Sequence, residues 1–229
     1  MQTILSIDTS SRYCSLALSD NGKISSVSEL LDRSHTVKVL PMIEALYRKS
    51  DLRLADTDLV CFAAGPGSFT GVRLAASITQ AIALASNSKV VPIRSSEVLS
   101  ASYVKQNVRT HREIICVQRS RANIYYISAF RSRQDGELEQ IQEDRLFGKL
   151  DVWLRDSIQD RDDFVVLGDF PDWFPSEASE KYESEVIPDA GVMVEIAKLR
   201  HEQNLSVEAE LALPIYVEGD TPWKKLTPT

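Results

Sequence analysis

Nine consecutive residues, Gly65-Pro66-Gly67-Ser68-Phe69-Thr70-Gly71-Val72-Arg73, hold the types and spacing from which an anion site is built. Three of the chain's nine glycines lie there. Glycine reaches positive φ and admits a close backbone, where a side chain costs roughly 1–2 kcal/mol. The apolar run Leu59 to Ala64 precedes the segment and the charge-free stretch Leu74 to Ala85 follows it. That order predicts a buried strand, a glycine turn and a buried helix, with Ser68 and Thr70 as caps. Free N–H groups at such a helix start could hold an anion. The spacing matches neither common phosphate fingerprint. A P-loop ends in Gly-Lys-Ser/Thr, whereas Gly71 is followed by Val72-Arg73, and Gly67 and Gly71 are one residue too far apart for G-x-G-x-x-G. Composition therefore ranks a tight strand-to-helix turn ahead of a phosphate site.

Other reactive residues are scattered. His35, His111 and His201 share no ligand spacing. Cys14, Cys61 and Cys116 stand far apart in apolar strand-like runs, which predicts reduced core thiols in a cytoplasmic protein. No G-x-S-x-G elbow is present, so Ser68 reads as a cap and not as a nucleophile.

The elements that must position these residues repeat. Thr3 to Asp8, Tyr13 to Leu18 and Ile24 to Leu30 read as three strands, the last two joined by Asp20-Asn21-Gly22-Lys23, a type I′ hairpin signal. A helix capped by Ser34 runs to Lys49; the strand, glycine turn and charge-free helix follow, then a strand over Val90 to Ile93 and a helix from Ser95 to Val104. The second half repeats the order more weakly. Strands are expected at Ile114–Gln118, Ile124–Phe130, Leu138–Glu143, Phe164–Leu167 and Val186-Ile187, with helices near Phe147–Ile158 and over Ala190–Glu202, the latter capped by Asp189. A duplicated β-β-β-α-β-α-β unit implies two similar α/β lobes facing a cleft; a plain α+β domain is the alternative. The expected division is 1–107, 108–204 and an extended tail, 205–229, packed back on the first lobe.

The chain has 229 residues, 43% hydrophobic and 26% charged, as in ordinary globular proteins. No apolar run would span a bilayer, and the strand-like Met1-Gln2-Thr3-Ile4 gives no expectation of a signal peptide. Residues 1–110 carry 12 basic against 9 acidic groups, and residues 111–229 carry 14 against 24. An acidic second half repels phosphates, so the chain is not expected to supply the main surface for any RNA.

Ile4-Leu5-Ser6-Ile7-Asp8-Thr9-Ser10, together with Gly65 to Arg73, resembles the bacterial TsaB (YeaZ) family of tRNA threonylcarbamoyladenosine biosynthesis proteins. Ser34-His35 with Leu40-Pro41 looks like that family's first helix, and Pro214-x-Tyr216-Val217 like its tail. The resemblance is strong over 1–105 and weak through the second half. It implies two ribonuclease H-like lobes of the actin, sugar kinase and Hsp70 class. It implies a cytoplasmic, non-catalytic subunit acting with a TsaD-like paralogue and a TsaE-like ATPase, or self-paired when the paralogue is absent. The tRNA is then met only through the complex, without a membrane, and ATP and the threonylcarbamoyl adenylate are used by the complex.

Active members of that fold class carry an Asp at the end of the first strand and a glycine turn beside it. Asp8 holds the place, but Ser10 stands where glycine would, so Asp8 is expected to cap its turn. The family usually shows Asp-Ala-Arg in the second lobe, where this chain has Gln118-Arg119-Ser120. No adenosine loop surrounds Gly168, so no tightly bound nucleotide is expected, which weighs against an active phosphotransferase or ATPase. The paralogue's His-x-x-x-His pair falls on Ser95-Ser96-Glu97-Val98-Leu99, which weighs against a metallopeptidase. By pattern alone, the helices at 34–49 and 74–85 carry surplus apolar residues that cover either each other or a partner. The resemblance implies the second, with an interface of His35, Val39, Ile43, Leu46, Tyr47, Leu74, Ile78 and Ile82. A charged residue at Ile43 or Ile78 would then weaken association without unfolding the lobe.

Overall fold

A computed structural model describes residues 2–31, 34–107, 113–133, 137–150, 152–159 and 163–217. The first half forms β1 (Thr3–Asp8), β2 (Tyr13–Asp20), β3 (Lys23–Leu30), α1 (His35–Lys49), β4 (Leu59–Gly65), α2 (Phe69–Ser86), β5 (Lys89–Arg94) and α3 (Ser95–Gln106). The second half forms β6 (Glu113–Arg121), β7 (Ile124–Ser132), β8 (Leu138–Phe147), α4 (Val152–Gln159), β9 (Phe164–Gly168), α5 (Ser176–Ser179), β10 (Tyr182–Glu183) and α6 (Ala190–Glu202). The sheets run β3-β2-β1-β4-β5 and β8-β7-β6-β9-β10. In each, three antiparallel strands lead into two parallel ones. The duplication expected from sequence is therefore present, strand for strand, and the fold is the two-lobed actin-like one.

Burial on both faces explains the uninterrupted apolar strands at the sheet centres. Along β4, Val60, Phe62 and Ala64 face α1 and α2, whereas Leu59, Cys61 and Ala63 face the opposite side. Helix α3 serves both lobes. Val98 packs with the first sheet, and Leu99 and Tyr103, one turn apart, pack on Ile114, Cys116, Val165 and Leu167 of the second.

Several expectations change. Helix α6, expected within the second lobe (108–204), packs on the first instead: Met193, Val194 and Ala197 meet Ile4, Ala17 and Cys61 of the first sheet. Its N-terminus is tied there too, since Ala190 N donates to Ser15 Oγ at 2.8 Å. The strand expected at Val186-Ile187 forms instead at Tyr182–Glu183, because only there does the chain pair with β9. The helix expected from Phe147 starts at Val152, because β8 extends through Phe147 opposite Tyr125. The tail returns to the first lobe: Val207 bridges Val90, Ala209 and Ala212 enter the core, and Ile215 N donates to Ala64 O at 2.8 Å. His111 and the end of the tail, 218–229, lie outside the described residues.

Candidate functional site

The site begins where β1 ends. Asp8 is 1% exposed, and its Oδ1 accepts from Ser10 N and Ser10 Oγ at 2.8 and 2.7 Å. Its Oδ2 accepts no hydrogen bond among the described residues. Burial pushes the Asp8 carboxyl above its usual range, against the opposing pull of the Ser10 bonds and His35. The residue thus closes its own turn, as its place before Thr9-Ser10-Ser11 suggested.

The glycine segment folds onto that same turn. A Cβ on Gly71 would lie 1.9 Å from Thr9 O, and one on Gly67 would lie 2.5 Å from Ser10 O. Thr9 Oγ1 donates to Gly71 O and Ser68 N to Ser10 O, both at 2.7 Å. Ser68 caps α2 by accepting from Gly71 N at 3.3 Å, while Thr70 lies inside the helix. Gly65, at φ +110°, precedes Pro66 across a cis peptide bond. Close approach is therefore used to dock two turns of the chain on each other. Arg73 completes the segment: its guanidinium lies 3.2 Å from the Phe69 ring centroid and 5.1 Å from that of Tyr216. It ties the tail to the first turn of α2.

Between the lobes lies a cleft of about 790 Å³, lined on one side by Ser10, Arg12, His35 and Ser68 and on the other by Gln118, Arg119 and Asp169. Sequence reasoning missed Asp169. Parallel pairing of Val117 with Gly168 brings it beside β6, where its Oδ2 accepts from Arg119 N at 2.8 Å. Gly168, at φ +93°, allows this because a Cβ there would meet Val117 O at 2.1 Å. An Asp directly after a strand-ending glycine was the available signal. The cleft thus carries two arginines and a carboxylate held in a turn. No group of three His, Cys, Asp or Glu suited to a metal occurs among the described residues.

The residues expected at a partner interface fall differently. Val39, Ile43, Leu46, Tyr47, Ile78 and Ile82 are buried in the first lobe's own core, and Leu74 packs against it. Helices α1 and α2 each use those side chains to cover the sheet, so a charge at Ile43 (2% exposed) or Ile78 (8%) would be buried among apolar groups and is expected to destabilise the lobe. That corrects the expectation for those two substitutions. His35 lines the cleft, its buried Nε2 without a hydrogen-bond partner among the described residues. The apolar groups left outside are Val37 (73% exposed) and Leu40 (55%) on α1, and Phe69 and Leu84 on α2. A groove of about 270 Å³ between the helices is lined by Thr36, Phe69, Arg73 and Leu74.

Known proteins align along the whole chain. A protein described as "tRNA threonylcarbamoyladenosine biosynthesis protein TsaB" from Haemophilus influenzae is 28% identical over 239 residues, covering 98% of this chain and 97% of its own. The protein of the same description from Escherichia coli is 28% identical over 228 residues, covering 97% of each. Among solved structures, "YeaZ from Pseudomonas aeruginosa" superposes with a TM-score of 0.79 at 24% identity, over 95% of this chain and all of that one, and it shares the fold. The family described as "TsaD: tRNA N6-adenosine threonylcarbamoyltransferase" matches residues 26–154, more than half of the chain. With its duplicated lobes and its glycine segment docked on the first turn, the chain belongs to that threonylcarbamoyltransferase family and stands within it among the TsaB/YeaZ proteins.

Proposed function

We propose that this chain acts in forming threonylcarbamoyladenosine on tRNAs that read codons beginning with A. It is a non-catalytic subunit that binds and supports a TsaD-like paralogue, together with a TsaE-like ATPase, in the cytoplasm. The observation that carries this reading is the state of the two strand-end turns facing the cleft. Asp8 accepts two bonds from Ser10 within its own turn, and the glycines beside it are filled by the backbone of Thr9 and Ser10. The matching hairpin of the second lobe offers Gln118 and Arg119, and Asp169 is engaged by a backbone N–H. Phosphoryl transfer rests on positioned phosphate donors and metal-holding carboxylates, and these turns are spent on the fold.

The contact with the paralogue uses the outer faces of α1 and α2, through Val37, Leu40, Phe69 and Leu84, and the same faces serve self-pairing when the paralogue is absent. The tRNA is reached only through the complex, consistent with the acidic balance of residues 111–229. The chain binds no nucleotide tightly; ATP and the threonylcarbamoyl adenylate are handled by the complex. Reconstituted threonylcarbamoyl transfer to tRNA, with this chain present or omitted, tests the reading. Loss of product on omission, with the chain inactive alone, supports the accessory role. Unchanged product, or tight ATP binding by the isolated chain in calorimetry, overturns it.

A further inference from the structure

The chain carries a net charge of −7, and its excess of acid lies in the second half. The cleft between the lobes runs against that balance. Its permanently charged side chains are Arg12 on the first-lobe wall, and Arg119 and Asp169 on the second. Both arginines are exposed, and neither joins an ion pair among the described residues. Each stands on a fixed frame. Leu31 N donates to Arg12 O at 2.9 Å, which holds the turn after β1. On the second wall, Tyr182 Oη donates to Gly168 O at 2.7 Å, beside Asp169, and the Arg119 guanidinium lies 5.6 Å from the Tyr125 ring centroid. The two walls are within electrostatic reach of each other. Burial and then Asp169 push the Tyr182 hydroxyl up, while Arg12, from the other lobe, pulls it down.

The rest of the lining says which anion those cations suit. Leu31, Leu74 and Val186 make part of it apolar. Its volume of about 790 Å³ is that of a small-molecule site, which runs from roughly 300 to 1,000 Å³. Phosphate sites at strand-end turns draw on free backbone N–H groups. Here those groups are taken: Ser10 N by Asp8 Oδ1, Ser68 N by Ser10 O and Gly71 N by Ser68 Oγ. The cleft therefore offers guanidiniums in place of a backbone cradle. His35 Nε2, buried and without a hydrogen-bond partner among the described residues, leaves one more polar group unused at the first wall.

We propose that the cleft binds a small organic dicarboxylate with an apolar body. One carboxylate pairs with Arg12, the other with Arg119, and the body lies on Leu31, Leu74 and Val186. A guanidinium presents two parallel N–H groups to a carboxylate, fork to fork. A ligand with one anionic end would leave the arginine of the other wall without a partner. Asp169 beside Arg119 repels further negative charge and so favours two carboxylates over a more highly charged ligand. Held from both walls, the ligand ties the lobes together and stabilises the folded chain by mass action. The site is separate from the outer faces of α1 and α2, and it stands whether or not those faces bind a paralogue.

Calorimetry and melting curves of the full chain test this with linear dicarboxylates from succinate to sebacate, beside octanoate, inorganic phosphate and ATP. A dicarboxylate of matching length binds and raises the melting temperature. Octanoate, with a single anionic end, binds roughly tenfold or more weakly. Arg12→Ala and Arg119→Ala each weaken the dicarboxylate by roughly tenfold or more. Without ligand both variants melt close to the parent, because both side chains are exposed. A series in which no dicarboxylate binds at millimolar concentration overturns the proposal. So does binding that survives both arginine substitutions unchanged, or phosphate or ATP binding as tightly as the best dicarboxylate.

Discussion

Gly71 and Asp8 show how the residues most suggestive of chemistry are used by the fold. An added Cβ at Gly71 would sit 1.9 Å from a carbonyl of the neighbouring turn, and that carbonyl belongs to backbone, which cannot swing aside. Gly71→Ala is expected to cost about 3 kcal/mol, read as a lower urea midpoint with an unchanged slope. Asp8 has a pH signature. Its carboxyl holds a proton above the ordinary 3.8 in the folded chain because of burial. The folded state therefore binds more protons than the unfolded one between that value and the raised one, and stability falls as pH rises through this window. Asp144 contributes with the same sign, its carboxyl also raised by burial against Ser96, Arg94 and Ser128. In Asp8→Asn the amide oxygen keeps the Ser10 bonds while the titration is lost. Urea denaturation at steps from about pH 4 to 7 should then show a shallower fall and no loss of stability at neutral pH. A slope equal to the parent's would contradict this account of Asp8.

Helices α1 and α2 separate fold from association by face. Their inward side chains cover the first sheet, and a charge at Ile43 meets apolar groups on all sides. Ile43→Asp is expected to cost about 4 kcal/mol or more, seen as loss of the cooperative melt. On the outer face, Val37→Glu or Leu40→Glu should leave the melt within about 0.5 kcal/mol of the parent while weakening capture of the paralogue. A pull-down of purified partners beside a melt of each variant separates the two effects. If the outer-face variants retain full binding, the paralogue contacts another surface.

Between the lobes, Arg94 at the end of β5 reaches Asp144 on β8 at 3.0 Å, and the Asp144 side chain is 1% exposed against 30% for Arg94. Removing the cation strands a buried charge, whereas removing the carboxylate leaves a cation that water can reach. Arg94→Ala is therefore expected to cost about 2–4 kcal/mol, and adding Asp144→Asn should recover part of that. Equal costs for the two single substitutions would show that the pair is well solvated. The duplication was legible here because both halves repeat alternating strands and turn signals, and because Asn21-Gly22, Ser68 and Asp189 occupy the turn and cap positions their chemistry favours. The glycine segment was legible as a turn, since its spacing fits no phosphate fingerprint. Periodicity could not say which side of an apolar helix meets its own sheet and which meets solvent, so Ile43 and Val37 read alike. Nor could it assign α6, whose apolar face fits either lobe. Ala190 bonding to Ser15 and Met193 packing on Ile4 depend on residues more than 170 positions apart meeting in space. Local order, strand phase and turn type were thus set by the sequence, because they depend on neighbours a few residues away. The cleft carboxylate Asp169, the two-sided role of α3 and the placing of Arg12 and Arg119 on opposite walls of the cleft were decided only by tertiary packing, because each depends on what the rest of the chain leaves covered or bare.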